Sequence, residues 1–121
     1  MLLQLLKAKI QKLIVTESSI NYPGSITLPY DIMDASAIKQ FELVHVNNRT
    51  NGNRIITYAI RGEQKQFVSI NGAASKLFTK GDEVHVLSFA YINNEEAENH
   101  KPILVITDAE NCIVEAKSYA V

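Results

Sequence analysis

The sequence predicts a small, mainly β domain, a mixed or antiparallel barrel with short helices, and three observations carry that expectation. Six or seven segments of four to eight residues are rich in Ile, Val, Thr, Tyr and Phe, which suit a pleated, half-buried surface. Turn-forming residues separate them at short intervals. Only one or two segments read as helix, so there is too little chain between strands for parallel crossovers, each of which needs a dozen or more residues. Closing such strands into a barrel removes edges that few helices are present to cover.

Each element can be justified in order. The opening "MLLQLLKAKIQKLIV" fits a helical face through Leu2, Leu5, Leu6, Ile10 and Leu13, and it also alternates through Ala8, Ile10, Lys12 and Ile14. A strand from about Lys7 to Thr16 is preferred, because β-branched residues gather there before the polar Glu17-Ser18-Ser19; the helix stays open. "GSITLP" is a brief strand bounded by Gly24 and Pro29. "PYDIMDASAIKQF" is the clearest helix, capped by Asp31 or Asp34 and ending at Lys39-Gln40. "FELVHVNN" is a strand with both faces partly covered, and Asn51-Gly52 signals a hairpin into "RIITYAIRG". On that strand Arg54, Ile56 and Tyr58 share one face and Thr57 points to the other. "QKQFVSING" is a further strand, and "GAASKLFTKGDEV" a helical turn ended by Gly81. "EVHVLSFAYI" is a strand, "NNEEAENHK" a solvated turn with His100 exposed, and "ILVIT" and "CIVEA" are strands around the turn Asp108 to Asn111.

Composition narrows the function classes. The chain has 121 residues, enough for one domain with one core. Twelve basic and 13 acidic residues give a net charge of -1, which offers no electrostatic reason to expect a polyanion, so no nucleic-acid partner is expected. One cysteine, Cys112, excludes an intrachain disulfide and suits a reducing cytoplasm. Lysines at 7, 9 and 12 interrupt the apolar N-terminal stretch, so neither a signal peptide nor a membrane span is expected. His45, His85 and His100 lack metal-ligand spacing, and no metal is expected.

"INYPGSI" admits two readings. Pro23-Gly24 suits a type II turn, with the fixed φ on Pro and a positive φ on Gly24, and Ser25 then merely leaves the turn. Alternatively Ser25 is a reagent. Lys9, Tyr22-Pro23-Gly24-Ser25, Asn51-Gly52, Arg54, Thr57-Tyr58-Ala59-Ile60 and Ile70-Asn71-Gly72-Ala73-Ala74 favour the second. In order and spacing they resemble the pyruvoyl-dependent aspartate decarboxylases, over nearly the whole chain and with less definition after about Asn94. The departures are Gln11 where well-known relatives have His, Asn47 where they have Trp, and Pro23 where Glu is frequent.

The resemblance implies a six-stranded double-psi β-barrel, a homotetramer with active sites between subunits, and self-cleavage between Gly24 and Ser25 into chains 1–24 and 25–121 of one domain. Ser25 becomes a covalent pyruvoyl group that forms a Schiff base with L-aspartate, giving β-alanine and CO2 for pantothenate and coenzyme A synthesis. It further implies Thr57 as donor to the oxyanion at cleavage, Tyr58 as proton donor to Cα, and Asn71 as an orienting residue. Lys9 and Arg54 would hold the substrate, with the amides of Gly72, Ala73 and Ala74. Whether a separate maturation factor assists the cut stays open. The competing readings are a non-catalytic barrel serving as a binding or transcription-associated module through Arg49, Arg54 and Lys65, and an unprocessed, inactive barrel.

Overall fold

The computed structural model describes residues 1–120. Nine strands form one mixed sheet with two short helices: β1 Leu2–Ile14, β2 Glu17–Ser19, β3 Ser25–Pro29, α1 Tyr30–Ser36, β4 Leu43–Asn48, β5 Arg54–Gly62, β6 Ser69–Asn71, β7 Glu83–Asn93, α2 Asn94–Ala97, β8 Ile103–Thr107 and β9 Ile113–Ser118. Their lateral order is β2-β6-β3-β5-β4-β7-β1-β8-β9. β1 pairs parallel with β8, β2 with β6 and β3 with β5; the remaining neighbours are antiparallel.

β1 is the longest element and begins five residues before the expected Lys7, because residues 2–6 find a partner in the far half of β7. Its alternation changes phase midway. Ala8 and Ile10 are buried, then Leu13 and Val15. Lys12 sits at φ 71 where the pairing with β7 skips, so it is a bulge that moves the inward set from even to odd positions. This turns Leu13 inward where simple alternation favoured Ile14.

The Asn51-Gly52 hairpin forms as expected, joining β4 to β5 with Gly52 at φ 84. The first helix differs from expectation at both ends. Pro29 occupies its N-cap position, Asp34 is exposed and paired with Arg61 at 2.7 Å, and Ala37 in the left-handed region stops it before Lys39. "QKQFVSING" yields only the three residues of β6, since the chain around Gln66, at φ 68, bends away from the sheet. The turn after Asn71 is a 3-10 helix over Gly72–Leu77 that stops at Phe78 rather than Gly81. "NNEEAENHK" contains one helical turn capped by the Asn93 side chain, and His100 is half-buried with Nε2 2.6 Å from the Leu6 carbonyl.

One apolar cluster fills the centre, including Ile10, Leu13 and Val15 from the N-terminal stretch, Ile26 and Leu28 from β3, Ile32 and Met33 from α1, and Val84, Val86 and Val105 from the later strands. Each such side chain taken from water stabilises the fold by roughly 1.5–3 kcal/mol before conformational entropy is charged against it. The stretch from β1 into β2 ties the two ends of the strand order together. Thr16 donates its amide to the Val68 carbonyl, and the Val15 amide donates to the Asp82 carbonyl. The Asn111 side chain accepts from the Ile14 amide and donates to the carbonyls of Ile14 and Gln66.

Candidate active site

β3 starts at Ser25, and three strands from distant parts of the chain meet there. Ser25 pairs with Asn71 of β6. On the other side Ile26 pairs with Ala59 of β5 in parallel, so Thr57 and Tyr58 precede that ladder on β5 as Gly24 and Ser25 precede it in the chain leading into β3. The type II turn is not formed: positive φ falls on Ser25, at 128°, and not on Gly24. A side chain in that region costs about 1–3 kcal/mol and persists only where its surroundings impose it.

The imposing element is Gly72. It stands at φ +71, and a Cβ there would lie 2.7 Å from the Gly24 Cα and 2.9 Å from its nitrogen. Main chain therefore packs directly on main chain next to the Gly24-Ser25 bond: Gly72, at the start of the 3-10 turn, abuts Gly24, and pairing with Asn71 of β6 holds Ser25. Ser25 is buried, and on its open side lies a cleft of about 460 Å³ lined by Tyr22, Gly24, Tyr58, Phe67, Asn71 and neighbouring residues. Asn71 is held in place, its Oδ1 accepting from Ser69 Oγ at 2.7 Å and its Nδ2 donating to Thr27 Oγ1 at 3.2 Å. Gly72, Ala73 and Ala74 open the 3-10 turn, and no side chain caps their amides. A planar acyl group has fewer atoms than the serine it would replace, so residue 25 with its glycine-lined wall fits a pyruvoyl group.

Lys9 and Arg54 do not line this cleft. Arg54 lies four residues before Tyr58 on β5, roughly 13 Å along a strand. It is exposed, with Nε donating to Asn47 Oδ1 at 2.7 Å. Lys9 lies on β1, its Nζ 5.6 Å from the centre of the Tyr119 ring. Between them runs β7, where His85 is in register with Asn47, and Asn47 with Arg54. Burial holds the His85 imidazole below its usual pKa, and the charges of Lys9, Arg49 and Lys12 push the same way against Glu83. As expected, Arg54, Ile56 and Tyr58 share the outer face. Thr57 joins Phe41, Leu43, Ile56 and Tyr58 around a shallow apolar depression, so Tyr58 alone borders both regions.

Sequence reasoning missed two residues of the face that carries Lys9 and Arg54, namely Asn47 and His85. The Asn47–Arg54 contact could have been found, because a hairpin closed at Asn51-Gly52 sets position 47 opposite 54. Nothing in the sequence signals that β7 lies beside β4. Of the cations suggested for a binding module, Arg49 is already paired with Glu83 at 2.7 Å. Among the described residues no group of three or more His, Cys, Asp or Glu could hold a metal ion, and no helix is long and apolar enough to cross a membrane.

An exposed Gly24 leading into a buried, strained Ser25 beside a cleft fits the class of proteins whose reactive carbonyl stands in place of a main-chain serine. Comparison with known proteins gives the particular family. The aspartate decarboxylase family matches residues 1–114, past the point near Asn94 where the motifs thin out. An aspartate 1-decarboxylase of Syntrophomonas wolfei is 46% identical over 116 residues, covering 95% of this chain and 98% of the relative. That of Alkalilimnicola ehrlichii is 39% identical over 119 residues, covering 98% and 94%, and that of Xanthomonas campestris 45% over 112 residues, covering 92% and 89%. The chain belongs to the aspartate decarboxylase family.

Proposed function

We propose that the protein cuts itself between Gly24 and Ser25 and uses the pyruvoyl group so formed to remove the α-carboxylate of L-aspartate, giving β-alanine and CO2 for pantothenate and coenzyme A synthesis. The observation that carries this reading is the conformation of Ser25, buried at φ 128 beside the cleft and directly after Gly24.

Ser25 Oγ attacks the Gly24 carbonyl carbon, the Gly24-Ser25 C–N bond breaks, and the chain is joined by an ester. Strain and proximity supply much of the drive, since held neighbours react as if at very high concentration. Thr57, on β5 just before its ladder with β3, donates to the oxyanion that develops on this carbonyl. Loss of the Ser25 Cα proton then expels the Gly24 carboxylate. Water adds to the resulting dehydroalanine and ammonia leaves.

The pyruvoyl group supplies a ketone conjugated to an amide, which accepts the electron pair released with CO2. The remaining work falls to side chains. Arg54 clamps the β-carboxylate with Lys9 as second cation, a guanidinium being suited to bidentate pairing. Tyr58 delivers the proton to Cα. Asn71 and the amides of Gly72, Ala73 and Ala74 orient the carbonyl at residue 25.

An amino acid with two carboxylates is only about 5 Å long, whereas within one chain neither Lys9 nor Arg54 lines the Ser25 cleft and Arg54 lies roughly 13 Å along β5 from Tyr58 at its border. This supports an active site shared between subunits, Ser25 from one facing Lys9 and Arg54 of the next, in a homotetramer. Phe41, Leu43 and Ile56 are all more than half exposed beside Tyr58 and supply apolar surface for that contact. The tie between the β1–β2 stretch and both ends of the strand order supports a closed six-stranded double-psi barrel. Exposed Cys112, the lone cysteine, is in keeping with a reducing cytoplasm.

Two assays test the reading together. Ser25→Ala should remain one full-length folded chain without activity, and the parent should turn over aspartate at least about 30-fold better than alanine, which leaves the clamp unsatisfied. Cleaved Ser25→Ala, or equal turnover of the two amino acids, contradicts it.

A further inference from the structure

His85 lies on β7, which together with β4 separates Lys9 on β1 from Arg54 on β5. It is in register with Asn47, which holds the Arg54 Nε, and its pairing partners put it on the same outer face. Lys9 is in register with Leu87, two residues along the same face of β7. The imidazole thus occupies the middle of the surface whose two ends are the proposed carboxylate ligands. Nothing in the reaction as derived above uses it.

Its two ring nitrogens are not equivalent. Nε2 has neither accessible surface nor a hydrogen-bond partner, and Nδ1 is not sealed in this way. Burying an unpaired N–H is rarer in proteins than leaving an acceptor under-satisfied, and a doubly protonated ring would have to bury one. A single proton on Nδ1 avoids burying an unpaired N–H and leaves that donor at the edge that is not sealed. The groups facing it act in the same sense: Lys9 and Lys12 from β1 and Arg49 following β4 oppose a positive ring, and among the described residues Glu83 on β7 acts against them. His45, on the same face of β4, is turned edge-on to Phe89 at 5.0 Å.

We propose that His85 is a third ligand of the substrate's side-chain carboxylate, donating from Nδ1–H between Lys9 and Arg54. A neutral donor here adds a directional hydrogen bond between two flexible cations, and so distinguishes a carboxylate at the right depth from one a methylene further out. The proposal rests on the assignment of Lys9 and Arg54 as the clamp.

The experiment measures KM for aspartate and the competitive inhibition constant of succinate, which has both carboxylates and no amine to react, with pyruvoyl content titrated in each sample. His85→Leu should raise both constants about 10-fold or more, the worth of a hydrogen bond to a charged group, at parental pyruvoyl content. His85→Asn keeps an amide nitrogen at the Nδ1 position and should stay within about threefold of the parent; His85→Gln, whose amide reaches the Nε2 position, should behave like His85→Leu. Parental succinate affinity in His85→Leu overturns the proposal, as does rescue by Gln in place of Asn. Arg54→Ala measured alongside separates the two levels. Loss of succinate affinity there with none in His85→Leu removes His85 alone, and no loss in either removes the clamp and the proposal with it.

Discussion

The surroundings of Ser25 and the face carrying Lys9, His85 and Arg54 are built in opposite ways. The first is main chain packed against main chain: Gly72 against Gly24, Ser25 paired with Asn71, and a backbone angle few side chains tolerate. The second is strand surface, bulged near Lys9, from which long polar side chains project, Arg54 steadied by Asn47 and Lys9 resting on Tyr119. The difference follows the chemistry each has to do. Converting a peptide bond into a reagent needs atoms that cannot relax, whereas receiving a substrate needs charge that can meet it. Tyr58, which lines the Ser25 cleft, shares the outer face of β5 with Arg54.

The sharpest way to break this division is at Tyr58. Tyr58→Phe should mature like the parent yet decarboxylate about 10²- to 10⁴-fold more slowly per pyruvoyl group, the usual loss with a general acid. Thr57→Val should do the reverse, cleaving slowly while the mature fraction works. Carbonyl titration of pyruvoyl content, divided into activity, reads both. Equal specific activity of Tyr58→Phe and parent would leave Tyr58 as packing only.

Gly72→Ala attacks the first region alone. The new Cβ cannot occupy its place without displacing Gly24, and a shift of that order costs on the order of 10² in rate. Cleavage followed by denaturing electrophoresis should slow accordingly, and an unchanged rate would show that the close approach is not what aligns the bond. Arg54→Ala attacks the second region alone. Truncating one partner of a charge pair costs roughly 2–5 kcal/mol, so kcat/KM for aspartate should fall about 30-fold or more with cleavage unaffected.

The smallest effect expected is on stability, through His85. Its folded pKa is lowered below 6.5, so between that folded value and 6.5 the unfolded chain binds more protons, and stability falls as pH falls through this window. His85→Asn removes the titration. Melting temperatures from pH 7.5 down to 5 should decline less steeply for the variant than for the parent, and parallel declines would contradict the lowered pKa.

Much of the sheet could be read directly, because hairpins and alternation are local. Asn51-Gly52 fixes β4 against β5, and the inward and outward sets of β5 follow from a period of two. The bulge at Lys12 could not be read, since it depends on where β7 stops matching β1. Short strands such as β6 exist only because β2 and β3 flank them. In the candidate site, Gly24-Ser25 and its companions stood out as motif, and Asn71 was included. The strain at Ser25 did not, because Pro-Gly is a good turn locally and the positive angle is shifted one residue by pairing with Asn71. His85 was read only as an unlikely metal ligand, for its importance comes from which strands lie on either side of it.

Intact-mass analysis of the purified parent tests the account most directly. It should give two chains, residues 1–24 ending in a free carboxylate, and residues 25–121 with a blocked N-terminus one ammonia lighter than a chain beginning with serine. A single chain of 13.5 kDa, or a fragment 25–121 with a free serine amine, would contradict it.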